Sequence, residues 1–279
     1  MINIDCLKKL NLDSIVEIKI AGQKIVYKAN SPEYGNVAVK IIKPNQNMKR
    51  ILREIEIVKN LPGVKTSNIY EDGIITCGEQ EYLYIIENFI NGENLRDTLE
   101  LNKKFTFEEV CKFLRIMLNN IAILEENKIV HRDIKPENIM IEKDEFILID
   151  FGIARDLSRT SLTNTSSPRG PATLVYAPIE QIDNEKENID SRTDLYSVCV
   201  VAYEMLCGSN PFFEGCENEL QVIRKIDKGE FKYLENKYFK DMLEFIHTNM
   251  NRHRTRRSNT AKEAKEWFEE IYSSLCKEL

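Results

Sequence analysis

Apolar and polar residues alternate from 14 to 20, with Ile15, Ile18 and Ile20 set among Glu17 and Lys19 and with Val16 breaking the strict period. A second run, 24–29, follows Ala21-Gly22-Gln23. Period-two alternation on both sides of a glycine-bearing gap predicts a β-hairpin. Further strands are expected at 37–40, 69–76 and 82–86, the last two joined around Gly78-Glu79-Gln80-Glu81, which completes a five-stranded antiparallel sheet. One segment breaks this rhythm: 49–61 places Ile51, Ile55, Val58 and Leu61 near helical spacing.

Beyond Gly92 the helical period takes over. Helices are predicted at 93–101 and 106–127, the second with a Thr106-x-x-Glu109 capping box and an apolar stripe through Val110, Phe113, Leu114, Met117, Leu118, Ile121 and Leu124. The segment 194–206 is the most apolar of the helices, so it belongs at the centre, with Asp194 at its start accepting backbone N–H bonds. Amphipathic helices follow at 220–228, 238–250 and 260–275, with Trp267 and Phe268 as core anchors. A single hairpin interrupts them, 139–141 against 146–149, with Lys143, Asp144 and Glu145 at its tip. Strands first and helices after give an α+β fold: a small β part with one main helix, then a larger helical part.

Composition narrows the class. The 279 residues are 42% hydrophobic and 30% charged, as in a soluble globular chain. No apolar run approaches the roughly 20 residues that span a bilayer, and residues 1–11 lack the apolar core of a signal peptide. The seven cysteines are scattered without a C-x-x-C pair and read as free thiols of a reducing compartment, so a cytoplasmic location is expected. A net charge of −6 provides no field toward nucleic acid or anionic lipid. The dense basic run, 252–257, is expected as a solvated loop before the last helix, with a local anion patch as the other reading.

The chemistry concentrates between His131 and Gly152. The predicted hairpin returns the chain so that Asn138, before its first strand, neighbours Asp150, after its second. An amide oxygen and a carboxylate suit Mg²⁺, which takes few protein ligands and draws the rest from waters and substrate phosphates. Asp133, on the same loop, can orient a hydroxyl toward a phosphoryl group, and Lys135 can balance the charge that develops there.

The ordered string Asp133-Ile134-Lys135-Pro136-Glu137-Asn138, followed by Asp150-Phe151-Gly152, resembles the protein kinase family. The resemblance covers about 14–272 and implies one bilobal kinase domain over 1–279. Its β lobe would occupy about 12–88 and its helical lobe about 92–275. It implies ATP and Mg²⁺ as cofactors and proteins with Ser or Thr hydroxyls as substrates, since Lys135 is the family's mark of Ser/Thr specificity. No nucleic acid and no membrane segment are expected. The site residues carry over position by position. Val26 matches the valine of the glycine-rich phosphate loop, whose glycine positions here hold Lys19, Ala21 and Lys24. Phosphate contact therefore falls to Ala21, Gly22, Gln23 and Lys24, through the 22–24 amides or the Lys24 side chain. Val37-Ala38-Val39-Lys40 resembles the strand whose lysine reaches the α- and β-phosphates, and Glu54, with Glu56 and Arg53 as rivals, matches the helix glutamate paired with it.

Ala38, Met140 and the connector residues Asn88, Phe89 and Ile90 are placed around the adenine. Glu87 stands where the family usually has an apolar side chain, and such a buried charge must find a partner or water. The polar stretch 155–169, with Ser158, Thr160, Ser161, Thr163, Thr165, Ser166 and Ser167, matches the activation segment. Autophosphorylation is expected there, at Thr163 or Thr165 with Ser166 and Ser167 as rivals, ordered through Arg132. Thr173 matches the threonine bonded to the catalytic aspartate and lysine. Glu180 would pair with Arg256, or with Arg257, and Asp194 would support the catalytic loop. The alternatives are a small-molecule phosphotransferase, which lacks the Asp-Phe-Gly and 173–180 features, and a non-catalytic binding module, prompted by the poor glycine loop.

Overall fold

In the computed structural model the alternating runs form one antiparallel sheet with strand order β1-β2-β3-β5-β4. Residues 3–20, 24–44, 46, 48–101, 104–151, 155–156 and 174–278 are described, without the side chains at 50, 54, 155, 156 and 278. After a short helix α1 (Ile4–Leu7) come β1 (Asp13–Ile20), β2 (Lys24–Ser31), β3 (Gly35–Ile42), helix α2 (Met48–Lys59), β4 (Ile69–Cys77) and β5 (Gln80–Asn88). The chain divides into two compact units, Met1–Pro62 with Thr66–Asn91, and Gly63–Lys65 with Gly92–Leu279.

The first unit has two apolar layers because alternate residues of β3 and β5 point to opposite faces of the sheet. On one face Val37, Val39, Ile41, Tyr84 and Ile86 pack with Leu7 and Leu12 of the N-terminal segment. On the other Ile42, Leu83 and Ile85 meet Ile51 and Ile55 of α2. The N-terminal segment is also tied covalently, and here the expectation of seven free thiols is corrected: Cys6 and Cys77 form a disulfide, with Cα atoms 5.8 Å apart. They lie 71 residues apart in sequence and meet only because α1 docks on β4, so no local spacing marks the pair. Closing so long a loop restricts the unfolded chain, and Cys6→Ser should lower stability by about 2–4 kcal/mol. Urea unfolding with and without dithiothreitol checks this: reductant should weaken the parent protein and leave the variant unchanged.

The second unit opens with a two-residue strand β6 (Glu93–Asn94), so the helix expected at 93–101 starts later, as α3 (Leu95–Glu100), with Asn94 as its N-cap. Helix α4 (Phe107–Glu126) carries the expected capping box, Thr106 and Glu109 each bonding the other's backbone. Strand β7 (Ile129–Val130) leads to the hairpin β8 (Ile139–Glu142) and β9 (Glu145–Leu148). Lys143 and Asp144 alone form its tip, at φ 50° and 64°, the left-handed pair of a two-residue turn. Glu145, expected in the turn, is instead the first residue of β9. Strand β10 (Arg155–Asp156) pairs with β7.

Helices α5 (Ile179–Ile182), α6 (Ser191–Cys207), α7 (Glu219–Lys228), α8 (Lys240–Asn249) and α9 (Ala261–Glu278) complete the described chain. Helix α6 is buried nearly all round and packs on α4, α8 and α9. Its N-cap is Asp190, whose carboxylate accepts the Arg192 amide, so Asp194 is not the cap but lies one turn inside. Phe268 is fully buried, whereas Trp267 is half-buried with its ring 4.9 Å from that of Phe245. The basic run is more than a solvated loop, although His253, Thr255 and Arg256 are exposed. Arg252 pairs with Asp227 (3.1 Å), Arg254 with Asp190 (2.9 Å) and Arg257 with Glu180 (2.6 Å), so it fastens the C-terminal helices to α5 and α6. Arg257, rather than Arg256, is the partner of Glu180. The single 3-10 turn Arg254–Arg256 leaves Arg256 exposed and turns the next side chain inward.

Candidate active site

The loop between β7 and β8 holds the residues on which the resemblance rests. Asp133 is gripped from two sides: its Oδ1 lies 3.1 Å from Lys135 Nζ, and its Oδ2 accepts Asn138 Nδ2 at 2.9 Å. The same Nδ2 donates to the Asp133 carbonyl at 2.8 Å, closing the loop on itself. With its nitrogen so committed, Asn138 has its Oδ1 to offer a cation. The Ile149 amide donates to the Asn138 carbonyl at 2.8 Å, so the hairpin brings Asn138 beside the segment that begins with Asp150, as its pattern implied.

Backbone geometry marks the same positions. Arg132 and Asp150 stand at φ 69° and 66°, a region that residues with side chains seldom occupy and that tends to collect at functional sites. The strain is held by buried polar contacts. Asp194 accepts the amides of His131 (2.7 Å) and Arg132 (2.8 Å), and Gln181 Nε2 donates to the Arg132 carbonyl at 2.9 Å. Burial pushes the Asp194 carboxyl up to about 7 against the pull of those two amides. Asp194 thus supports the loop from α6, the place given to it by the resemblance.

His131 is fully buried, its ring edge-on to Phe151 at 4.6 Å, and its Nδ1 accepts the Asp133 amide at 3.3 Å. Burial lowers its pKa to about 4. The folded chain then binds fewer protons here than the unfolded one between the ordinary value near 6.5 and about 4. The stability this contributes is complete above the ordinary value and is lost as pH falls toward the lower one. Asp194 acts in the opposite sense over an overlapping range, so the comparison needs a reference lacking the imidazole. Relative to His131→Phe, the parent should lose about 3 kcal/mol of stability from pH 6.5 to 4, measured by urea unfolding across that range. A constant difference would mean that the imidazole is not held neutral.

In the first unit Lys40 is half-buried on the α2 face of the sheet, and its ammonium lies 2.6 Å from Glu87 Oε1. The carboxylate that sequence reasoning found out of place is therefore the partner of Lys40 among the described residues. Glu54, assigned that role by resemblance, has its side chain outside the described residues. The connector is partly committed: the Asn88 amide donates to the Asn68 carbonyl (3.1 Å) and the Phe89 amide to the Asn36 carbonyl (3.2 Å). Val26 and Lys24 lie on β2, and Ala38 is buried on β3. Met140, on β8, accepts a weak hydrogen bond from Asn94 Nδ2 at 3.9 Å. Ala21, Gly22, Gln23, Thr173 and the serines and threonines from 158 to 167 lie outside the described residues.

Among the described residues no cluster of three or more His, Cys, Asp or Glu could hold a metal. One amide oxygen and one carboxylate, Asn138 with Asp150, are the donor set Mg²⁺ accepts when phosphates and waters complete its shell. Sequence reasoning missed two residues that shape this loop. Gln181 carried no signal, since its partner is a backbone carbonyl. Arg96, half-buried, bonds Glu137 (2.9 Å), Glu204 (2.9 Å) and Tyr176 together, tying the catalytic loop to α6 and to the turn before α5.

Comparison with known proteins points the same way. Residues 22–269 match the family model described as the protein kinase domain. A probable serine/threonine-protein kinase of Clostridium acetobutylicum is 31% identical over 203 residues, covering 70% of this chain and 30% of that protein. The probable serine/threonine-protein kinase PknB of Bifidobacterium longum is 35% identical over 187 residues, 63% of this chain and 27% of its own. Calcium-dependent protein kinase 4 of Plasmodium berghei is 27% identical over 202 residues, 71% and 36% respectively. The chain thus spans about a third of the length of these relatives.

Proposed function

We propose that this chain, which belongs to the protein kinase family, moves the terminal phosphoryl group of ATP onto serine and threonine hydroxyls of proteins. The observation that carries the reading is the loop on which Asp133 is held between Lys135 and Asn138, while two backbone amides anchor it to Asp194. A carboxylate so fixed orients an acceptor hydroxyl and takes its proton as the oxygen bonds to the γ-phosphorus. The bond from that phosphorus to the bridging oxygen breaks, and ADP leaves with the electron pair. Lys135, beside Asp133, offsets charge on the transferring group. Mg²⁺, when bound, neutralises phosphate charge, and Asn138 and Asp150 are the residues to hold it.

On the first unit Lys40 serves the α- and β-phosphates, with Ala21, Gly22, Gln23 and Lys24 as further phosphate contacts. Val26, Ala38, Asn88, Phe89 and Ile90 serve the adenine. Thr173 is read as a partner of Asp133 and Lys135, and Thr163 or Thr165 as sites of autophosphorylation. No helix among the described residues is long and apolar enough to cross a membrane. Two considerations bear on location: ATP supply favours the cytoplasm, while the disulfide argues the other way.

The test is transfer from labelled Mg²⁺·ATP to dephosphorylated casein and to the chain itself, followed by phosphoamino-acid analysis. Label on Ser and Thr supports the reading. No transfer, with ATP still bound, would favour a binding module instead.

A further inference from the structure

The Lys40–Glu87 pair is built into the sheet. Strands β3 and β5 are neighbours with Ala38 opposite Glu87 and Lys40 opposite Ile85, so Lys40 and Glu87 are diagonal partners on one face. That face also carries Ile42, Leu83 and Ile85, packed against Ile51 and Ile55. Both charged side chains are nearly buried, at 12% and 8% exposure, in largely apolar company. Either charge left alone there would be costly, which makes each the condition for the other. The carboxylate is itself oriented: its Oε1 faces the Lys40 ammonium at 2.6 Å, and its Oε2 accepts the Ser67 hydroxyl at 3.0 Å.

We propose that Glu87 is the positioning residue for the phosphate-binding lysine, holding Lys40 from within the sheet and without reliance on helix α2. The inference rests on the reading of Lys40 as the phosphate lysine. Chemistry allows both bonds at once, because an ammonium has three donors and Glu87 engages one of them. Lysine and carboxylate stand on adjacent strands that share a continuous ladder, so their separation is set by strand register. A carboxylate on α2 would set it only as well as that helix is docked. Ser67 is the second element of the device, since its hydroxyl fixes the carboxylate's rotation.

Replacing Glu87 should therefore damage recognition of phosphates and spare recognition of the base. The experiment compares binding of Mg²⁺·ATP and of adenosine to the full chain by calorimetry, for the parent, Glu87→Gln and Glu87→Met. Glutamine keeps a neutral acceptor for Lys40 and methionine keeps only the bulk, so the preference for ATP over adenosine should fall about three-fold in the first and ten-fold or more in the second. Adenosine affinity should stay within about two-fold of the parent. A merely structural role would weaken both ligands together, and that result would overturn the proposal, as would an unchanged ATP preference in E87Q should E87M fail to fold. The same measurements on Glu54→Gln rank the two carboxylates: a larger loss of ATP preference there than in E87Q also overturns it. A parent chain that binds neither ligand sinks the kinase reading along with this one, whereas a parent that prefers ATP while E87Q and E87M do so equally sinks this inference alone.

Discussion

Asp133→Asn lowers phosphoryl transfer by a hundred-fold or more at saturating ATP, while the affinity for Mg²⁺·ATP stays within about three-fold of the parent. The rate follows from the role of the carboxylate, since losing a positioned general base removes about 10²–10⁴ in rate. The affinity follows from the contacts. Asp133 bonds Lys135 and Asn138 and belongs to neither the proposed metal pair nor the phosphate lysine. An asparagine presents one oxygen where the aspartate presented two. Its carbonyl goes to the Lys135 ammonium, and its NH₂ then meets Asn138 Nδ2, a donor facing a donor. Losing that bond costs about 1 kcal/mol, small beside the lost base. Single-turnover transfer and nucleotide titration on the same preparation separate the two effects. A rate loss under three-fold would remove Asp133 from the chemistry, and a loss of ATP affinity parallel to the rate would transfer it to the nucleotide site. Asp150→Asn should differ in kind, since it removes a metal carboxylate, so raising Mg²⁺ should recover part of its activity and none of that of Asp133→Asn.

What the sequence made legible is what local pattern controls. The hairpin after the catalytic loop is coded within ten residues, by Ile139, Ile141, Phe146 and Leu148 around a polar tip, and pairing Ile139 with Leu148 places the chemistry at its open end. The capping box of α4 is equally local. Asp194 at the foot of the catalytic loop was legible only through resemblance, because its partners lie 62 and 63 residues away. The features that escaped depend on register or on distant meetings. Glu87 reaches Lys40 because β3 and β5 are adjacent and slide to one register, which neither strand states alone. Arg256 and Arg257 differ by a single position on a 3-10 turn, and a periodicity argument cannot choose between them. Asp190 takes the cap from Asp194 because helix α6 gains a turn through Ser191, Arg192 and Thr193, which have no apolar period to announce it. The Cys6–Cys77 bond joins residues whose neighbours give no hint of each other.

Arg257→Met destabilises the second unit by about 3–5 kcal/mol, the expected cost of stripping one partner from a buried ion pair. The guanidinium is fully buried and its donors are distributed without waste: two bonds to Glu180 (2.6 and 3.2 Å) and one each to the carbonyls of Asn251 (2.7 Å), Arg192 (3.2 Å) and Arg252 (3.2 Å). Its plane also lies 4.8 Å from the Tyr196 ring centroid. Methionine fills much of the volume but leaves the Glu180 carboxylate and three carbonyls without these bonds. Lysine keeps the charge without the planar fork, so Arg257→Lys should recover only part of the loss. Changing both partners, Glu180→Leu with Arg257→Met, removes the stranded charge and should be more stable than Arg257→Met alone. The damage reaches the chemistry through one residue. Gln181, next to Glu180 on α5, holds the Arg132 carbonyl, so loosening α5 releases a strained residue of the catalytic loop. Urea unfolding of the four proteins, with transfer rates measured well below each midpoint, tests both parts. A loss under about 1 kcal/mol in Arg257→Met would mean that the pair is not needed, and a normal rate in a destabilised variant would mean that α5 does not position the loop.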